Sequence, residues 1–257
     1  MHYTTDELMI VAAAREIKDR EVVFVGTGLP MLAGYLAKAT HAPGANLLFE
    51  SGIIDPEPIH LATGVGDFRL LKGLAKATSL SYVLGLLQAG YVDVGFLGAA
   101  EIDRYGNVNS TYIGGTYTRP KLRLPGSGGA NDIASNAKRT LIIVPHQKRK
   151  FKNVLTYLTT PGYLGGGDAR ERAGLVGGGP ARVITDKAVL GFEQGTKAMT
   201  VLSLHPGVTF EEVQEATEFP LGAAPGLAET PHPTEREVEW IRNMDRNGVY
   251  INKDKLG

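Results

Sequence analysis

Short apolar runs that stop abruptly at a glycine turn or a carboxylate constrain this sequence most. Residues 22–25, Val-Val-Phe-Val, contain no polar position and lead directly into Gly26-Thr27-Gly28-Leu29-Pro30. Asn46-Leu47-Leu48-Phe49 is a second run, and it ends at Glu50-Ser51-Gly52. Further buried strands are expected at 92–97 and 140–144. A strand with one wet face alternates apolar and polar residues, whereas a continuous apolar run belongs to a strand covered on both faces. Helical patterns fill the gaps. Thr4-Thr5-Asp6-Glu7 has the spacing of a capping box ahead of the stripe Leu8, Val11, Ala12, Ile17, and 31–39 reads as the next helix. Strands alternating with helices predict an α/β fold, a mostly parallel open sheet with helices on both faces. After Lys187 the pattern changes. Segments 183–192 and 198–204 flank Glu193-Gln194-Gly195-Thr196-Lys197 as an expected hairpin. Helices are expected over 209–217 and 234–244, separated by the Pro/Gly-rich stretch 220–233. There is no internal repeat, and residues 1–257 read as a single domain.

Charge and composition exclude several classes. Lys plus Arg and Asp plus Glu both total 27, so the basic excess of a nucleic-acid binder is missing, as is the basic amphipathic helix of a membrane-surface protein. Zero cysteines remove disulfides, thiolate catalysis and Cys-ligated metals, and suit a cytoplasmic protein. The opening residues lack the basic region and apolar run of a signal peptide. Residues 77–100 carry one charge, Asp93, yet Gly85, Gly90, Gly95 and Gly98 punctuate them, so they predict a buried helix and a buried strand instead of a membrane span. The 33 glycines are about twice the usual share of ~7% and cluster in short loops.

Four features could carry chemistry. Glu50 closes an apolar run, at the carboxyl end of an expected parallel strand, where α/β sheets bind ligands. There it is either a partly desolvated nucleophile or a solvated residue at a strand's end. Gly126-Ser127-Gly128-Gly129-Ala130-Asn131-Asp132 leads into an expected helix, so its amides could face an anion or simply form a tight turn. It does not match the nucleotide-hydrolase loop, and Gly26-Thr27-Gly28-Leu29-Pro30 lacks the third glycine of a dinucleotide fingerprint. Lys148-Arg149-Lys150-Phe151-Lys152 is a site for phosphates or a solvated face. The glycine-rich segment 162–179 is a lid or a surface loop. The six histidines show no ligand spacing, so no metal is expected, and His205 reads as a structural turn residue.

Taken together, these segments resemble the class I CoA-transferase family, and in particular its B-type subunits, such as that of glutaconate CoA-transferase. The resemblance spans nearly the whole chain. It rests on Val25-Gly26-Thr27-Gly28-Leu29-Pro30, Phe49-Glu50-Ser51-Gly52, the run from Glu101-Ile102-Asp103-Arg104-Tyr105-Gly106-Asn107 to Val108-Asn109-Ser110-Thr111, the 126–131 loop and Thr159-Thr160-Pro161-Gly162. It implies that Glu50 is a covalent nucleophile forming a glutamyl-CoA thioester, with coenzyme A a co-substrate and no tightly bound cofactor. Substrate or CoA contacts are then expected from Gly26, Thr27, Gly28, Ser51 and Gly52, and from Gly126, Ser127, Gly128, Gly129, Ala130 and Asn131. It also implies a homologous A-type subunit as partner, and small carboxylic acids, dicarboxylic ones such as glutaconate among them, as substrates. Rival readings on this scaffold are a CoA-ester hydrolase, including a ring-cleaving one, or a decarboxylase; relatives of those kinds replace the glutamate that is present here as Glu50. A ligand-sensing domain is the non-enzymatic rival.

Overall fold

The first two apolar runs form strands β1 (Val22–Phe24) and β2 (Asn46–Phe49) in a computed structural model that describes residues 2–251. The chain divides into two units, Met1–Phe96 with Pro231–Gly257, and Leu97–Thr230. In the first unit β1 pairs in parallel with β2 on one side and with β5 (Val94–Gly98) on the other. Two short antiparallel strands, β3 (Ile53–Ile54) and β4 (Lys76–Ala77), extend the order to β5-β1-β2-β3-β4. Val23, Phe24, Leu47, Leu48 and Phe49 are all buried, as continuous apolar runs require. Helix α1 (Thr5–Arg15) starts at the expected capping box: the Glu7 amide donates to Thr4 Oγ1 at 3.2 Å and the Thr4 amide to Glu7 Oε2 at 2.7 Å. Helix α2 (Leu29–Thr40) lies close to the sheet at Gly34, where a Cβ would stand 3.1 Å from Leu47 and 3.3 Å from Val25.

Helix Glu235–Met244 belongs to this unit and is held to α1 by reciprocal ion pairs. Arg242 Nε donates to Glu7 at 2.6 Å, and Arg15 Nη2 to Glu237 at 2.9 Å. Glu7 is 1% exposed, so removing Arg242 would strand a buried carboxylate, a change of roughly 3–5 kcal/mol in such settings. Helix α3 (Leu80–Gln88) corrects one expectation. Only Val83 and Leu87 are buried, while Leu80 is 48% and Tyr82 43% exposed. Its apolar composition suits burial, but only a single stripe is covered within this chain.

The second unit has a strand order of its own. Two small antiparallel ribbons come first, β6 (Glu101–Ile102) with β7 (Val108–Asn109), and β8 (Tyr112–Gly115) with β9 (Pro120–Arg123). Strand β10 (Arg139–Ile143) is parallel to β11 (Pro180–Ile184), which turns back into β12 (Ala188–Phe192). The expected single segment 183–192 is thus broken. Thr185 Oγ1 accepts from the amides of Lys187 and Ala188 at 3.1 and 3.0 Å, which closes a turn at the polar Thr185-Asp186-Lys187. The hairpin of β12 with β13 (Met199–Leu204) is as expected. The stretch 220–233 contains a further strand, β14 (Gly222–Glu229), parallel to β13. Pro225 is tolerated because the register with β13 breaks between Ala223 and Ala228, so no ladder amide is lost there. The architecture is α/β, as expected, with parallel pairs β1–β2, β1–β5, β10–β11 and β13–β14 and antiparallel strands added.

Segment 162–179 is neither lid nor free loop. Arg170, 4% exposed, donates Nε to the Gly177 carbonyl at 2.8 Å, Nη1 to Gly162 at 2.9 Å and Nη2 to Ala134 at 2.6 Å. At Gly178 a Cβ would stand 2.2 Å from the Lys138 carbonyl oxygen. Gly162, Gly177 and Gly178 let backbone pack closely against backbone.

His146 and His205 are both buried structural groups. His146 lies between the hydroxyls of Thr185 and Thr217, at 3.2 and 2.9 Å, and stacks on Phe151 with ring centres 3.9 Å apart. His205 meets the Thr230 hydroxyl and the Thr185 carbonyl at 3.0 and 2.7 Å. Burial depresses the His146 pKa from 6.5 to about 4, so the folded state holds it neutral. Stability from this group is complete above pH 6.5 and is lost as pH falls toward 4. The loss should reach about 3 kcal/mol. His146→Gln, which bonds but does not titrate, should flatten the fall of the urea midpoint across that window.

The β2–β3 turn gives a second test. The Gly52 amide donates to the Phe49 carbonyl at 3.0 Å and its carbonyl accepts from Thr78 at 2.8 Å, with φ at +96°. A Cβ on Gly52 would stand 2.3 Å from the Thr78 carbonyl oxygen. Gly52→Ala should therefore cost about 3 kcal/mol. Scanning calorimetry should show the melting temperature lower by about 10 °C.

Candidate active site

Two turns leave adjacent parallel strands in the same direction in the first unit. Gly26, Thr27 and Gly28 follow β1, and Glu50, Ser51 and Gly52 follow β2. The strands pair Val22 with Asn46, Val23 with Leu47 and Phe24 with Leu48, and the Val25 amide donates to the Leu48 carbonyl at 2.9 Å. The turns therefore emerge together at the carboxyl ends of their strands, where a parallel sheet opens its crevice. Gly28 sits at the cap of α2 with φ at +87°, and no side chain caps the helix there. A Cβ at Gly26 would meet nothing within 4 Å, so its backbone faces open space.

Glu50 is half-buried, next to the fully buried Phe49, whose ring stacks on Tyr35 at 6.4 Å. Among the described residues its carboxylate has no hydrogen-bond or ionic partner. Nearby carboxylates are committed: Asp55 pairs with Lys38 and accepts from the Leu47 amide. The Ser51 hydroxyl and the Tyr35 hydroxyl are buried without partners among the described residues. Burial, and then the charge of Asp55, push the Tyr35 phenol well above its usual range, which keeps it a neutral donor. Tyr250 covers the Gly28 turn. Its ring carbon would lie 4.0 Å from a Cβ at Gly28, and its hydroxyl donates to the Ala62 carbonyl at 2.6 Å. Beside it is a cavity of about 480 Å³ lined by His60, Arg69, Asn243, Asp245 and Arg246 among others. Neither Tyr35 nor Tyr250 lies in a motif, since an isolated tyrosine in an apolar stretch gives no sign of where its hydroxyl ends.

The remaining expected residues belong to the second unit. Gly126, with φ at +96°, donates its amide to the Ser110 carbonyl at 2.9 Å, and Ser110 Oγ donates back to the Gly126 carbonyl at 2.9 Å. Ser127 and Gly128 are exposed, and Gly129 begins the helix Ala130–Asn136. Asn131 is exposed, but its amide nitrogen donates to the Thr159 carbonyl at 3.1 Å. The long motif 101–111 is an internal lattice of polar contacts. Asn109 Nδ2 donates to Glu101 at 2.7 Å, Thr156 donates its amide and hydroxyl to the same carboxylate, and the Ser110 amide donates to Thr159 Oγ1 at 2.9 Å. Asn107 Oδ1 accepts from the Gly162 and Leu164 amides at 2.8 and 3.0 Å. These residues hold the 126–131 loop and the 159–162 segment in place. In the basic cluster, Lys150 donates to the Ala99 carbonyl and Lys152 pairs with Glu218, so two of its cations serve the fold.

Comparison with known proteins places this arrangement. The coenzyme A transferase family profile matches residues 7–216. The B-type subunit of 3-oxoadipate CoA-transferase from Pseudomonas knackmussii is 44% identical over 95% of this chain and 94% of its own. The B-type subunit of glutaconate CoA-transferase from Acidaminococcus fermentans is 40% identical over 97% of this chain and 96% of its own. A crystal structure of glutaconate coenzyme A-transferase from that species aligns with a TM-score of 0.90 at 38% identity, covering 98% of each chain. The decarboxylase AibA/AibB aligns at 0.84 and 29% identity, over 99% of each chain. With a family profile over most of its length and relatives at this identity, the chain belongs to the coenzyme A transferase family.

Proposed function

We propose that this chain is the B-type subunit of a CoA-transferase in which Glu50 takes up coenzyme A as a glutamyl thioester. One observation carries the reading: Glu50 is a half-buried carboxylate at the end of a parallel strand, without a partner among the described residues. A carboxylate serving the fold would be paired, as Glu7 and Glu101 are. One left uncommitted beside an apolar core is available to attack.

The chemistry balances without any redox change. The Glu50 carboxylate attacks the acyl-CoA carbonyl, the C–S bond breaks, and a mixed anhydride and CoA thiolate result. The thiolate attacks the Glu50 carbonyl of the anhydride, which releases the donor acid as carboxylate and leaves CoA on Glu50. An incoming carboxylate repeats the two steps in reverse, and Glu50 is regenerated. Each attack builds an oxyanion, and amides of the Gly26–Gly28 turn, in the same unit as Glu50, suit that charge. The small acids are best taken as dicarboxylates, since the similar enzymes are named for 3-oxoadipate and glutaconate. A cytoplasmic setting and a homologous A-type subunit complete the proposal. The decarboxylase on a similar scaffold sustains a second reading, in which CoA esters are held but not exchanged.

Glu50→Gln keeps the shape and removes the nucleophile. CoA exchange in the assembled complex should fall by about a thousandfold or more. The melting temperature should stay within about 2 °C. Borohydride added after acyl-CoA, with no acceptor acid, should convert the Glu50 carboxyl to an alcohol that peptide mapping detects. Unmodified residue 50 in an enzyme that transfers CoA excludes the thioester route, and decarboxylation without exchange favours the second reading. This chain purified alone should transfer little CoA, and co-expression with its A-type partner should restore activity; full turnover from the isolated chain would remove the need for a partner.

A further inference from the structure

Between Arg104 and Gly167 a chain that is neutral as a whole carries ten Lys and Arg residues and one carboxylate, Asp132. The ribbon β8–β9 displays the most exposed part of that charge. Alternation along β9 puts Lys121 and Arg123 on one face, and Arg119 at its head has the same parity. Tyr112 stands opposite Arg123 across the ribbon. Gly114 makes room for Lys121, whose Cδ would be 2.9 Å from a Cβ there. Tyr117 is 56% exposed and Tyr157 40%. Their ring centres are 6.1 Å apart, and Tyr112 lies 5.5 Å from Tyr157 and 6.1 Å from Tyr117. The Arg123 guanidinium lies 4.8 Å from the centre of the Tyr117 ring and donates to the Tyr117 carbonyl, so ring and cation are pre-ordered.

None of Arg119, Lys121 and Arg123 has a carboxylate partner among the described residues. Like charges on one face of a strand repel, and two wet tyrosines add little to a fold. The ribbon is nevertheless tied at its base to the glycine loop, since the Leu124 amide donates to Thr111 at 3.0 Å and the Gly126 amide to Ser110 at 2.9 Å. Ordered aromatic faces flanked by cations without carboxylate partners fit a ligand that has a flat base and several phosphates. Base–aromatic stacking tolerates any purine face, while guanidinium and ammonium groups hold phosphate oxygens by charge-assisted bonds.

We propose that the β8–β9 ribbon binds the nucleotide end of coenzyme A, with adenine against Tyr117 and Tyr157 and the phosphates on Arg119, Lys121 and Arg123. The assignment rests on the reading of this chain as part of an enzyme that handles acyl-CoA.

Calorimetric titration with 3′-phospho-ADP, on the co-expressed complex, reads this site without any turnover. Wild type should bind the probe. Tyr117→Ala and Lys121→Gln should each weaken binding about tenfold, and Tyr117→Phe, which keeps the ring, should bind as wild type does. In kinetics both weakening variants should raise KM for acyl-CoA with kcat retained, and leave transfer from the matching acyl-pantetheine unchanged. Equal losses with both donors, wild type that ignores the probe, or variants that match wild type would overturn the proposal. So would separation of the subunits in sedimentation, which would assign the ribbon to a protein contact. A complex that binds the probe through these residues yet transfers no CoA would sink the transferase reading and leave the nucleotide site standing.

Discussion

The parallel pairing of β1 with β2 is the contact on which the candidate site depends. It sends the Gly26 turn and the Glu50 turn out of the sheet together. Both strands are buried on both faces, so their apolar pattern alone would tolerate a slip in register. The close approach of α2 at Gly34 removes that freedom, because Leu47 and Val25 fill the space a side chain there would need. Gly52 then sets where β2 must end, since only a residue without Cβ can turn back against the Thr78 carbonyl. Register, helix contact and turn thus converge on the position of one carboxylate.

The buried acids divide by what they serve. Glu7 accepts from Arg242 and its own capping box, Glu101 from Asn109 and Thr156, and Asp245 from the amides of Val249, Tyr250 and Ile251. Each of these organises backbone. Asp103 belongs with them, and although burial raises its pKa, Asn107 and the Tyr105 amide hold it by hydrogen bonds. Glu50 has no such role, and it differs from the half-buried and likewise unpaired Asp6 and Asp132 in closing a parallel strand.

Strands buried on both faces are legible in the sequence because burial dictates their composition directly, and β1, β2, β5 and β10 lie where the apolar runs are. Glu50 and the two glycine turns are legible for a related reason, since an abrupt end to such a run marks the crevice. Other parts leave no local trace. The Thr185 turn depends on one hydroxyl accepting two amides, and β14 depends on a partner strand that no pattern within 220–233 reveals. Segment 162–179 reads as mobile because its glycines are many, whereas Arg170 and the close backbone contacts that fix it come from distant residues. The apolar run of α3 predicts burial, yet within this chain only the stripe of Val83 and Leu87 is covered.

The second unit is one uninterrupted stretch, Leu97 to Thr230, whereas the first is assembled from segments on either side of it and closed by the pairs Glu7–Arg242 and Arg15–Glu237. Synthesis on a ribosome therefore delivers every residue of the second unit before the helix that completes the first has been made. Until Arg242 emerges, the Glu7 carboxylate lacks the guanidinium that pairs with it in the finished fold. A nascent chain stalled near residue 230 would hold a finished inserted unit beside an unfinished outer one. The glutamate that the chemistry needs would be present, but in a unit still waiting for its last helix.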